Sequence, residues 1–295
     1  MSRVNALRPA SVAALLDLRA EHPEALLVAG GTDVMVPVNF GRLRPELILD
    51  MTEVSELRRV QPRGQDSWWL GCRTTFSDIE RQLRALMPGL AVAARTVGSP
   101  QIRNLATIGG NIATGSPAGD SLPVLLAMGA SIDVGSTRGT RTVAVGEFFL
   151  GPGRTVLGPD ECILGVHVPV SPGALQQFAK IGARNAMVIS VASFALHIDP
   201  SAARVGTGMG SVGPTPLAAP EAERFLAEAL FHDPETPIGR VALSEEQVRH
   251  FGELVSAASR PIDDVRGTAA YRRHVIATMS RRTLSRLIEQ RRGDL

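Results

Sequence analysis

Leu27-Val28-Ala29-Gly30-Gly31-Thr32-Asp33 and Thr107-Ile108-Gly109-Gly110-Asn111-Ile112-Ala113-Thr114-Gly115-Ser116-Pro117 decide how this chain is read. Each joins a short apolar run to backbone without obstructing side chains and to small hydroxyl or amide residues. A pyrophosphate needs peptide N–H groups it can approach closely, with a few hydroxyl donors around them. Neither stretch has the G-x-G-x-x-G spacing of a Rossmann turn or the G-x-x-x-x-G-K-[ST] spacing of a P-loop. The pair, with Asp120-Ser121-Leu122-Pro123 just downstream, points to a different dinucleotide cradle.

Around these stretches the pattern predicts alternating short strands and helices. Ser11 caps a helix to about Ala20, and Leu26 to Ala29 is a short strand entering the first glycine stretch. Asp33 offers an N-cap for a brief helical turn broken by Pro37. Leu47-Ile48-Leu49 and Trp68-Trp69-Leu70 read as strands. Helices are expected over Ser77 to Met87, ended by Pro88-Gly89, over Ala91 to Val97, and over Leu122 to Met128. Ser131 to Val134, Thr140 to Val145 and Cys162 to Val168 read as strands, and Pro169-Val170-Ser171-Pro172-Gly173 is the natural boundary between domains 1–172 and 173–295. Beyond it, strands at Gln176 to Ile181, Val188 to Ile198 and Arg204 to Val212 precede helices at Ala219 to Leu230, Ser244 to Ala258 and Ala269 to Glu289. Strands followed by helices argue for an α+β class. Gly206-Thr207-Gly208-Met209-Gly210-Ser211 imitates a dinucleotide fingerprint, but Gly213-Pro214-Thr215-Pro216 follows where a helix is required. It is read as a glycine-rich strand with a close-packed neighbour.

The second stretch, Thr107 to Pro123, resembles the FAD-binding (medium) subunit of molybdenum hydroxylases, the xanthine dehydrogenase and carbon monoxide dehydrogenase family. Arg266-Gly267-Thr268-Ala269-Ala270-Tyr271-Arg272-Arg273-His274 is similar to the C-terminal domain of the same subunit. The resemblance implies a two-part FAD-binding domain of the vanillyl-alcohol-oxidase-like (PCMH-type) class. A smaller α+β C-terminal domain, a three-stranded sheet plus helices, follows it. It implies that FAD lies extended against Leu27, Val28, Ala29, Gly30, Gly31, Thr32 and Asp33 and against Thr107, Gly110, Asn111, Ala113 and Thr114. Asp120 is placed near the adenosine ribose, Leu27, Ala113 and Ile163 line the cofactor with apolar surface, and Lys180 lies near the isoalloxazine. Relatives often carry acidic residues after this lysine, where Ala186-Met187-Val188 stands here. That departure removes any inference about NAD access.

Composition bounds the rest. The chain has 295 residues, a formal net charge of +2, two cysteines and one lysine, Lys180, among 31 cationic residues. That balance argues against a nucleic-acid binder, although Arg281, Arg282, Arg286, Arg291 and Arg292 crowd the last helix, as suits a helix C-terminus. No apolar run approaches the ~20 residues of a membrane span. The opening Met1-Ser2-Arg3-Val4-Asn5 lacks the apolar core of a secretion signal, so a cytoplasmic protein without a membrane span is expected. Cys72 and Cys162 cannot ligate [2Fe-2S] clusters, each normally needing four thiolates. By resemblance, a small iron–sulfur subunit and a large molybdopterin subunit carry those groups, in a dimer of heterotrimers. Electrons would then leave through FAD to NAD, a quinone or another carrier. No catalytic residue and no metal ligand is assigned, since His167, His197, His232 and His274 are scattered. The competing readings are a self-sufficient FAD-dependent reductase, disfavoured by the Arg266 to His274 cluster, and a flavin-free structural subunit.

Overall fold

The computed structural model describes residues 4–233, 236 and 238–293. It begins with a small parallel sheet of β1 (Asn5–Leu7), β2 (Leu26–Val28) and β3 (Leu47–Asp50), ordered β1-β3-β2, with α1 (Val12–Glu21) and α2 (Met35–Asn39) in its connections. The Ser11 hydroxyl caps α1 by accepting from Ala14 N–H at 3.2 Å, as the sequence predicts. At α2 the prediction needs correction. Val34, not Asp33, holds the cap position, and Pro37 lies inside the helix. Proline is tolerated there because the first turn has no intrahelical acceptors for its N–H groups.

A second sheet, entirely antiparallel, follows from β4 (Val60–Pro62) and β5 (Ser67–Gly71). Four helices come next: α3 (Phe76–Gln82), α4 (Pro88–Thr96), α5 (Pro100–Leu105) and α6 (Ile108–Thr114). Pro88 opens α4 instead of ending its predecessor, which stops at Gln82. Pro100 opens α5 in the same way behind the cap of Ser99, whose hydroxyl accepts from Ile102 N–H at 3.3 Å. Then come α7 (Ser121–Met128), β6 (Ser131–Ser136), β7 (Gly139–Ala144), α8 (Val145–Phe148), β8 (Phe149–Gly151), β9 (Arg154–Thr155) and β10 (Cys162–Pro169). The strand order is β4-β5-β10-β6-β7, with β8 and β9 paired separately.

The third sheet takes β11 (Leu175–Ile181), β12 (Ala192–Asp199) and β13 (Arg204–Gly210) antiparallel in chain order, followed by α9 (Pro220–Phe231), α10 (Glu245–Ala258) and α11 (Ala269–Gly293). A full capping box starts α10: Ser244 Oγ accepts from Gln247 N–H at 3.1 Å and Gln247 Oε1 from Ser244 N–H at 2.8 Å. This is the expected α+β arrangement, with a three-stranded sheet and helices closing the chain. Among the described residues no helix is long and apolar enough to cross a membrane.

Strand β12 is buried along its whole length. Phe194, Leu196 and Ile198 face the core made with Phe251, Ile276 and Leu284, while Ala195 joins Phe178 and the core of the first 170 residues. Helix α7 lies directly on β12 and β13, and glycines make that possible. A Cβ on Gly208 would stand 1.9 Å from the Pro123 carbonyl oxygen, and one on Gly206 2.0 Å from that of Ala127. The nucleotide-like G-x-G-x-G run is thus a packing surface for a helix backbone. Gly208→Ala is expected to cost about 3 kcal/mol through overpacking, because backbone on both sides must move. Urea denaturation checks this, and a loss below ~1 kcal/mol would contradict the close approach.

His197, on the same strand, is 2% exposed, and its Nδ1 has no partner among the described residues. Burial, and then the Arg204 guanidinium, press its pKa from 6.5 down to about 4. Between those values the unfolded chain binds a proton that the native fold rejects. This contribution is therefore intact above pH 6.5 and is lost as pH falls toward about 4. Unfolding free energy should drop by roughly 2–3 kcal/mol from this group between neutral pH and its native pKa. His197→Gln should flatten that part of the curve; superimposable pH dependence in the two proteins would refute it.

Candidate functional site

The first glycine stretch leaves β2 and turns at Gly31, whose φ of 70° is left-handed and suits glycine alone without strain. Residues Leu27 to Thr32 are half-buried and Asp33 is exposed. The backbone N–H groups of Gly30, Gly31 and Thr32 find no backbone acceptor among the described residues, nor does the Thr32 hydroxyl have a partner. Successive free amides about a left-handed residue form a concavity suited to an anion. Gly30 has a different reason for being glycine. A Cβ there would lie 1.9 Å from the carbonyl oxygen of Leu105, so the loop presses directly on the end of α5.

The second stretch is a short helix, not an open loop. Thr107 Oγ1 caps α6 by accepting from Gly110 N–H at 3.1 Å, and Gly115 ends it at φ 57°. Ile108 and Ile112 are fully buried, and a Cβ on Gly109 would meet that of Cys72 at 2.4 Å. The N–H groups of Ile108 and Gly109 donate to the carbonyls of Thr74 and Cys72, at 3.0 and 2.9 Å, and that of Asn111 to Thr107 at 3.0 Å. The expectation that both stretches offer main-chain donors is therefore corrected: α6 has used its own. What it can still present are side chains. Asn111 accepts from Ser121 Oγ through Oδ1 at 2.7 Å, leaving its Nδ2 without an acceptor among the described residues.

One polar run connects these parts. Thr114 Oγ1 donates to Asp33 Oδ2 at 3.1 Å, tying the two stretches across 81 positions. Ser121, which anchors Asn111, follows Asp120. The Asp120 carboxylate accepts from Lys180 Nζ at 2.5 Å and from Thr96 Oγ1 at 3.1 Å. Lys180 also donates to the Thr96 carbonyl at 3.2 Å. Side-chain exposures of 8% and 5% make this a buried ion pair. Burial pushes the Asp120 carboxyl up, and the Lys180 ammonium and Thr96 hydroxyl oppose it. The other carboxylate oxygen, Oδ1, is buried with no partner among the described residues.

Asp120, expected at the ribose, and Lys180, expected at the isoalloxazine, are therefore in direct contact with each other. The adjacent carboxylate cancels most of the Lys180 field at a distance. Of the remaining expected residues, Ile163 is only 6% exposed and packs in the core, while Ala113 is exposed. Thr96 was missed by the sequence reading; no motif marks it. Cys72 and Cys162 are buried, and burial raises their thiols to about 12 and about 11. Neither behaves as a ready thiolate. Among the described residues no group of three or more His, Cys, Asp or Glu could hold a metal ion.

Comparison with known proteins gives the family. Residues 2–171 match the family described as the FAD binding domain in molybdopterin dehydrogenase, and residues 177–287 the CO dehydrogenase flavoprotein C-terminal domain. The xanthine dehydrogenase FAD-binding subunit of Escherichia coli is 30% identical over 98% of this chain and 97% of its own. The nicotine 6-hydroxylase medium subunit of Paenarthrobacter nicotinovorans is 30% identical over 94% of each. A chain of carbon monoxide dehydrogenase from Hydrogenophaga pseudoflava superposes with a TM-score of 0.85 at 28% identity, covering 98% of both. The chain belongs to the family of FAD-binding subunits of molybdenum hydroxylases, oxidoreductase complexes of the xanthine and carbon monoxide dehydrogenase type.

The ion pair gives a direct test of the site's electrostatics. Lys180→Met should destabilise the fold by about 3–5 kcal/mol, because Asp120 is left charged and buried; replacing both as Lys180→Met with Asp120→Leu should recover most of that loss. Chemical denaturation of the single and paired variants checks it, and a paired variant no more stable than Lys180→Met would contradict the assignment.

Proposed function

We propose that FAD binds along the polar run from Gly30 to Lys180 and that this subunit is the point where electrons leave the complex. The observation that carries this reading is the row of unpartnered amides at Gly30, Gly31 and Thr32, half-buried and tied to α6 through Asp33 and Thr114. These amides and the Thr32 hydroxyl would hold the diphosphate, with the Asn111 amide as a further donor. The residues fit the cofactor on a second ground. The buried Asp120 Oδ1 lacks a hydrogen bond, and a ligand hydroxyl or ring N–H would supply one. Leu27, Val28, Ala29, Ala113 and Ile163 complete the proposed lining, of which Ile163 acts from within the core.

When bound, FAD supplies an isoalloxazine ring that accepts and releases electrons, and the protein supplies position and electrostatics. The residues of this chain bind, orient and screen it; none is assigned a proton-transfer role. We propose that [2Fe-2S] clusters and molybdopterin reside in a small and a large partner subunit, as a dimer of heterotrimers in the cytoplasm, with NAD, a quinone or another carrier as acceptor. The two buried, free thiols fit a reducing compartment and leave no cysteine set for a cluster. We also place the domain boundary between 172 and 173, because β10 ends at Pro169 and β11 begins at Leu175.

Titration of the purified full chain with FAD, followed by quenching of flavin fluorescence, tests the reading. One FAD per chain is expected. Thr32→Val, which keeps shape and backbone N–H but removes the hydroxyl, should weaken binding about 3- to 10-fold without lowering stability. Absence of FAD uptake by the unmodified chain would overturn the proposal.

A further inference from the structure

The Arg266 to His274 segment has no part in the site as described, yet it holds the most heavily bonded buried cation in the C-terminal half. Arg272, on α11, is 3% exposed. Its Nη1 donates to the carbonyls of Val191 at 2.6 Å and Ser211 at 2.7 Å, and its Nη2 to Asp264 Oδ1 at 2.6 Å. Asp264 is itself fixed, accepting from Arg266 N–H at 2.7 Å. A guanidinium matches this set because its planar fork reaches divergent acceptors at once; an ammonium cannot reproduce the geometry.

Both carbonyls belong to segments that lead to the FAD site. Val191 N–H donates to the Ile181 carbonyl at 2.8 Å, closing the connection between β11 and β12 one residue after Lys180. That connection carries Met187, at φ 49°, and a tight contact in which a Cβ on Gly182 would meet Val188 at 2.3 Å. Ser211, at φ 61°, donates its N–H to the Pro117 carbonyl at 2.8 Å, at the end of the second glycine stretch. One side chain therefore bonds to the closure behind Lys180 and to the residue that pins the segment after α6. Non-glycine residues at positive φ persist only where surrounding bonds hold them there.

We propose that Arg272 is a positioning residue for the flavin site. From α11 it sets the relative placement of Lys180 and the Thr107 to Pro117 segment, and so the geometry in which FAD is gripped. The inference rests on the FAD reading above. It separates the role of the C-terminal domain from that of a passive cover: the domain determines how the cofactor sits.

Arg272→Lys in the full chain tests it, because charge is retained while simultaneous reach to Val191, Ser211 and Asp264 is lost. Val275→Ala, a buried truncation on the same helix, serves as a comparison that lowers stability without touching these bonds. The expected result is a Kd for FAD raised about tenfold or more in Arg272→Lys, with an altered visible circular dichroism band of the bound flavin. Val275→Ala should match the unmodified chain in both readouts despite a lower Tm. An Arg272→Lys protein that binds FAD within about twofold of the unmodified chain, with the same flavin band, overturns the proposal. If Arg272→Lys does not fold, Asp264→Ala, which removes the acceptor of Arg272 Nη2 at a partly exposed position, carries the same comparison; unchanged affinity and spectrum there overturn it equally. Failure of the unmodified chain to take up FAD is a different outcome, and it refutes the FAD reading itself.

Discussion

The buried contact between Lys180 and Asp120 is the constraint on which the rest of the molecule turns. Removing two charges from water costs several kcal/mol per ion, and their attraction offsets this only where the geometry is good and further bonds complete it. Here three elements meet to provide that. The ammonium on β11 sits against the last carbonyl of α4, and the carboxylate stands at the start of α7, so each charge also complements a helix end. The contact joins the third sheet to the helices of the first 170 residues. A compact ammonium fits between the two oxygens, which gives a physical reason for the one lysine in a chain that otherwise uses arginine.

From this contact outward the site is asymmetric. The first glycine stretch keeps its amides free and its backbone left-handed, as an anion cradle requires. The second stretch has folded into α6 and satisfied its own amides, so it contributes side chains and rigidity. Two of the glycines, Gly30 and Gly109, exist because another part of the chain lies where a side chain would be. Glycine in this fold does two kinds of work, and only one of them concerns a ligand.

That distinction marks the limit of what the sequence makes legible. Hydrophobic periodicity and capping residues located α1, α7, α10 and the strands of the three larger sheets except short β1 and β4, because those signals are local. The α6 helix escaped because its two glycines have poor helix propensity; burial of Ile108 and Ile112 and the Thr107 cap hold it instead. Pro88 read as a stop but acts as a start, since a proline at the first helical position carries no penalty. The stretches that build the proposed site were legible as motifs. The pairing of Lys180 with Asp120 across 60 positions was not, and neither was the part taken by Thr96, since both depend on how β11 packs on α4 and α7.

An experimental structure of the full chain with FAD bound tests the central claim most directly. The diphosphate should lie against the Gly30 to Thr32 amides, with a polar atom of the cofactor within hydrogen-bond distance of Asp120 Oδ1 and the Lys180–Asp120 contact intact. FAD seated elsewhere on the chain, or a diphosphate that leaves those amides without an acceptor, would contradict it.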